Sequence, residues 1–79
     1  MNLNWIGATN GAYEIVEQIR VGTCYAVLGR VDDGSSFATW WVDSTGGYYG
    51  QYTFYNANHA YQNLYARAYY GAKAIYGEE

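Results

Sequence analysis

The sequence has no proline, one cysteine, one histidine and four basic residues among 79. Each scarcity excludes something. With Cys24 alone, no disulfide can form within the chain, and Cys24 with His59 falls short of the ligand set of a zinc site. No metal or cofactor is therefore expected. His59 as a general base would need an oriented partner, and the sequence supplies none, so no catalytic residue is assigned. In its apolar setting Cys24 reads as a small buried hydrophobe. Arg20, Arg30, Arg67 and Lys73 are scattered, and the net charge is −3. Direct contact with nucleic acid needs clustered Lys and Arg on phosphates, so none is expected. No apolar run approaches the ~20 residues of a membrane span. No membrane partner is expected, and without a basic-then-apolar leader the expected compartment is the cytoplasm. Gly46-Gly47 leads into a strand rather than a helix, so it is no phosphate loop. Linkers, repeats and low-complexity tracts are absent as well.

What is there is apolar and aromatic. Hydrophobic residues make up 51% of the chain, aromatic residues 20%, and eleven residues are tyrosine. That composition argues against disorder. Tyrosine offers a rigid ring and a polar tip, which suits cores and interfaces alike. A chain this short forms one domain, burying roughly 60% of its unfolded surface, with no room for a deep enzyme cleft beside the core.

The pattern along the chain predicts an α+β fold: a four-stranded antiparallel meander over 13–54, then one helix over 56–76 packed on one sheet face. Residues 1–12 read as an irregular lead-in with Trp5 and Ile6 tucked onto the core, and an early short strand is allowed. Tyr13 to Val21 alternates, with Tyr13, Ile15, Ile19 and Val21 on one face, although Glu17 breaks the rhythm. A helix with Ile15, Val16 and Ile19 on one side is the alternative. Val21-Gly22-Thr23 and Asp32-Asp33-Gly34-Ser35 read as tight turns. Between them, Cys24 to Val31 is rich in strand formers. Phe37 to Val42 is the clearest strand. Ser44-Thr45-Gly46-Gly47 is a further turn. Tyr48 to Phe54 is the last strand, with Gly50 a bulge or a point of close approach. In the helix, Asn56 or Asn58 is the N-cap. Tyr61, Leu64, Tyr65, Ala68, Ala72 and Ile75 share one face. Gly71 ends or kinks the helix, or Gly77 closes it.

Trp40 and Trp41 are adjacent in a strand, so they point to opposite faces. Tyr48 and Tyr52 fall on one side of the last strand, Tyr49 and Tyr55 on the other. A single helix covers only one face. Either the lead-in covers the second face, or that face is an exposed interface of the composition found at binding hot spots. The second reading is preferred. Its candidate partner-binding residues are Trp40, Trp41, Tyr48, Tyr49, Tyr52 and Tyr70, with Asp32 and Asp33 as acidic contact points. Those two aspartates otherwise belong to turn chemistry, since the further oxygen ligands of a calcium loop are missing. Glu78 and Glu79 read as a solvated tail.

The run Tyr13-Glu14-Ile15-Val16 through Val27-Leu28-Gly29, then Phe37-Ala38-Thr39-Trp40, then Gly47-Tyr48-Tyr49-Gly50-Gln51-Tyr52, then Ala60 and Arg67, resembles small accessory domains of Firmicutes phages and conjugative elements. The resemblance spans about 13–70. Trp41 and the tyrosine-rich helix depart from that pattern. It implies an anti-defence role of the anti-CRISPR kind, in which a non-enzymatic protein binds and blocks a host effector such as a CRISPR nuclease. It assigns no residue a role. A homodimeric scaffold of a conjugation or replication complex is the alternative. A nucleotide-signal sponge is weaker, because no basic cluster clamps a phosphate.

Overall fold

The computed structural model describes residues 4–77. Met1 to Leu3 of the lead-in and the Glu78-Glu79 tail lie outside the described residues. Five strands and one helix follow in order: β1 (Thr9–Asn10), β2 (Tyr13–Val21), β3 (Cys24–Arg30), β4 (Phe37–Val42), β5 (Tyr48–Phe54) and α1 (Ala57–Tyr76). The strands form one antiparallel meander in chain order. The expected four strands are present. The fifth, β1, is the short strand allowed within the lead-in, and it pairs Thr9 with Glu14 and Asn10 with Tyr13.

β2 is a strand, as preferred, and the break at Glu17 has a structural cause. Ile15 pairs with Gly29 and Glu17 with Leu28, which leaves Val16 as the extra residue of a bulge. A bulge shifts the side-chain period by one. The expected common face of Tyr13, Ile15, Ile19 and Val21 is therefore wrong. Tyr13 and Ile15 pack with Trp40, whereas Val16 and Ile19 pack beneath the helix. Val21 also lies on the helix side, close to Gly71. The turn to β3 works because Gly22 holds φ at 63°, a conformation that a side chain disfavours.

β5 carries a second bulge. Thr39 pairs with Tyr52 and Trp41 with Tyr49, so Gly50 and Gln51 together oppose Trp40. Gly50 has φ 73°, which only glycine adopts readily in a bulge of this kind. The consequence overturns the expected side assignment. Tyr48 packs on the Trp40 side. Tyr49 and Tyr52 both lie on the helix side, Tyr49 beside Gly71, Ala74 and Ile75, and Tyr52 beneath Arg67.

Both sheet faces are cores. On one, Ile15, Tyr25, Val27, Ala38, Trp40 and Val42 are buried, with Trp5, Ala8, Tyr13 and Tyr48 packed around them. Four rings meet edge to face there. Tyr13 and Trp40 are 5.5 Å apart, Trp40 and Tyr48 5.7 Å, and Trp5 and Tyr48 6.4 Å. The lead-in is fastened to β2: Trp5 N–H donates to Gln18 Oε1 (2.6 Å), Gly7 N–H to Ile15 O (2.9 Å) and Ile15 N–H to Ala8 O (2.8 Å). The sheet face without the helix is thus covered, and the expectation of an exposed second face does not hold.

On the other face, Ala26, Leu28 and Phe37 pack against Ala60 and Leu64 of α1, flanked by Val16, Ile19, Trp41, Phe54 and Tyr61. The helix starts at its N-cap Asn56, whose Oδ1 accepts from His59 N–H (3.2 Å). It closes where Gly77 N–H donates to Lys73 O (2.8 Å). It passes through Gly71 without ending there. Gly71 serves close approach instead: a Cβ at that position would lie 2.6 Å from Trp41 Cη2. Alanine would gain about 1 kcal/mol in helix propensity. Overpacking against a rigid indole costs about 1–3 kcal/mol. Gly71→Ala is therefore expected to lower the urea midpoint; a raised midpoint would mean that Trp41 swings aside freely.

Candidate functional site

The structure separates the eight candidate residues. Trp40 is interior, only 2% exposed, with its Nε1–H donated to Gln51 Oε1 (3.0 Å). Trp41 is half-buried against Gly71, and Tyr48 is half-buried in the aromatic chain. Trp40 is thus withdrawn into the fold, while Trp41 and Tyr48 pack within it and keep part of each ring exposed. Asp32 and Asp33 are exposed in the β3–β4 turn. Asp33 Oδ1 accepts from Ser35 N–H (3.0 Å), and bonds from Ser35 hold its carboxyl below the usual range. A shallow cleft joins this turn to Thr9, Gly11, Ala12 and Glu14. Among the described residues no three His, Cys, Asp or Glu side chains are grouped to hold a metal ion. Tyr49, Tyr52 and Tyr70 remain exposed.

Tyr52 and Gly50 are held by Arg67. Its Nε–H donates to Thr39 Oγ1 and Asn63 Oδ1, both at 3.1 Å, and Nη2–H donates to the Gly50 carbonyl. Thr39, buried in β4, donates in turn to Asn63 Oδ1 (2.5 Å). The guanidinium lies 4.8 Å from the Tyr52 ring centre, within cation–π range. Burial lowers the Arg67 pKa from its ordinary value, partly opposed by Tyr52. The bonded partners of Arg67 are neutral, so the group ties the helix to the β5 bulge and fixes which way Tyr52 points.

The sequence reading missed the larger aromatic feature. Tyr61, Tyr65, Tyr69 and Tyr76 recur at intervals of four, four and seven, which aligns them along one side of α1. The reading placed Tyr65 and Ile75 on the buried face, but the helix buries only Ala60 and Leu64, and Tyr65 and Ile75 are exposed. Small residues decide this: Ala60 and Gly71 allow the closest approach to the sheet, which turns Tyr65, Tyr69 and Tyr76 outward. The signal was present as alanine and glycine at helical spacing. Tyr61 and Tyr65 lie 6.3 Å apart, and Tyr69 and Tyr70 4.9 Å. Burial, with Glu17 nearby, raises the Tyr61 pKa.

Of the eleven tyrosines, seven are half or more exposed: Tyr49, Tyr52, Tyr55, Tyr65, Tyr69, Tyr70 and Tyr76. Beside this surface an apolar recess of about 250 Å³ opens between Val21, Cys24, Trp41, Tyr49 and the helix residues Gly71, Ala74 and Ile75. Cys24 is half-buried rather than interior, and its Sγ lies 3.8 Å from Tyr49 Oη. That contact, with desolvation, raises the Tyr49 pKa. His59 is exposed in the first turn of the helix. Among the described residues no helix is long and apolar enough to cross a membrane. No known protein family matches the chain, and no curated protein or solved structure shows significant similarity to it.

Proposed function

We propose that this chain is a non-enzymatic binding module that blocks a host effector protein stoichiometrically, in the manner of an anti-defence inhibitor such as an anti-CRISPR. The observation that carries the reading is the tyrosine stripe on α1. Tyr65, Tyr69 and Tyr76 are exposed in line, and Ile75 beside them borders the apolar recess. Fully burying a large apolar side chain is worth about 1.5–3 kcal/mol, and these rings leave much of that unrealised in the free protein. A partner that covers them recovers it, and tyrosine is enriched at such hot spots. The exposed turn with Asp32 and Asp33 adds an acidic contact point for a basic partner. The anti-defence direction comes from the resemblance of 13–70 to mobile-element accessory domains.

The test is capture of purified CRISPR effectors of several types, with a target-cleavage assay. Wild-type protein is expected to bind one effector type and inhibit cleavage near equimolar ratio. Tyr65→Ser/Tyr69→Ser/Tyr76→Ser should weaken binding about 100-fold or more while leaving the circular dichroism spectrum unchanged. Folded wild-type protein that neither binds nor inhibits any effector would remove the reading.

A further inference from the structure

The two edges of the sheet are unlike. On the β1 side the edge is the two residues of β1 and then β2 beyond Ile15, where Glu17 and Arg20 stand. The β5 edge is seven residues long, pairs among the described residues only with β4, and exposes its five central residues. Long edges in natural sheets are blunted by lysine, proline, a covering segment or a bulge, because an unpaired edge is a template for another strand. β5 (Tyr-Tyr-Gly-Gln-Tyr-Thr-Phe) has no charge and no proline, and only the Gly50 bulge interrupts it. Beyond that bulge, Gln51 to Phe54 is a regular, uncharged edge leading into Tyr55.

We propose that this edge pairs antiparallel with the same edge of a second copy, about a two-fold axis at Thr53, joining two five-stranded sheets into one. Three observations favour a second copy over a foreign strand. First, the segment is self-complementary. With Thr53 on the axis, Thr53 faces its partner copy, each Tyr52 faces a Phe54, and each Gln51 faces a Tyr55. Thr–Thr and aromatic cross-strand pairs are among the stabilising ones. Tyr52 and Phe54 lie on the helix side, so their rings meet on one face. Second, a chain of net charge −3 repels itself least where no acidic side chain stands, and β5 carries none. Third, the area is adequate. Tyr52 is 58%, Tyr55 81% and Tyr70 65% exposed, and Tyr70 shares the Asn63–Arg67 flank of the helix that faces β5. At 150–250 Å² per ring these supply roughly 400 Å² per chain. That is about half of the ~800 Å² per partner in a standard interface, before the strand edge is counted. Of the α1 stripe only Tyr69 touches this surface, through Tyr70, so the proposal stands apart from the identity of any effector.

Sedimentation equilibrium between about 10 and 200 µM tests it, since dimerisation depends on protomer concentration. Wild-type protein is expected to be dimeric at the upper end. Thr53 is exposed, so Thr53→Lys and Thr53→Glu should fold with the wild-type circular dichroism spectrum. Each alone should be monomeric, because like charges meet on the axis. Mixed one to one, they should form a heterodimer. A monomeric wild type throughout the range would overturn the proposal. So would a Thr53→Lys protein that dimerises like wild type, or singly monomeric variants that fail to associate when mixed.

Discussion

Trp40→Ala is expected to remove about 3–5 kcal/mol of stability, the cost of emptying a large aromatic site that cannot fully collapse. A chain of this length has about 4–12 kcal/mol in all, so the loss is about a quarter of it or more and the urea midpoint should fall accordingly. The loss has identifiable parts. Trp40 is buried between Tyr13 and Tyr48, edge to face with both. Its Nε1–H holds Gln51 Oε1, and Gln51 Nε2 donates on to Thr53 Oγ1 (3.0 Å). The same ring fits against Gly29, where a Cβ would lie 2.9 Å from Trp40 Cζ3, so the neighbours are shaped around it. Urea unfolding followed by circular dichroism measures the effect. A loss below about 1 kcal/mol would place Trp40 at the surface and contradict the covered face.

Leu64→Ala is expected to cost about 2–5 kcal/mol, while Tyr65→Ala, one residue away, should stay within about 0.5 kcal/mol of wild type. Leu64 is 1% exposed and is one of only two helix residues buried by the sheet. It packs in the cluster with Ala26, Leu28, Phe37 and Ala60. Tyr65 is 57% exposed. Because so few side chains anchor α1, the Leu64 variant should also lose helix protection in hydrogen exchange before it loses protection in β3. Equal losses from the two substitutions would mean that the helix packs on its tyrosine side. The two variants, with Trp40→Ala, probe the two cores separately.

Much of this architecture was legible because its causes are local. The turns at Gly22 and Gly34, the aromatic and β-branched run of Phe37 to Val42, the Asn56 cap and the Gly77 stop each follow from the conformational preferences of a few neighbouring residues. The lead-in was the harder case. Its cover over Trp40 depends on Trp5 and Ala8 reaching residues far along the chain, and no local pattern encodes that reach. The site was legible in kind and not in place. Tyrosine abundance pointed to an aromatic surface, yet Trp40, Trp41 and Tyr48 went into the fold, and Tyr65, Tyr69 and Tyr76 came out of it.

By itself the sequence determined an antiparallel meander followed by a helix, little basic charge, and a surplus of rings over what one small core needs. Only the tertiary structure decided which rings face water. Two bulges, at Val16 and Gly50, each shift the side-chain period by one residue, and such a shift sends every following side chain to the opposite face. One small helix contact, at Ala60 and Gly71, sets the rotation of α1. These are matters of register and close approach between distant segments, so the pattern of residue types along the chain leaves them open.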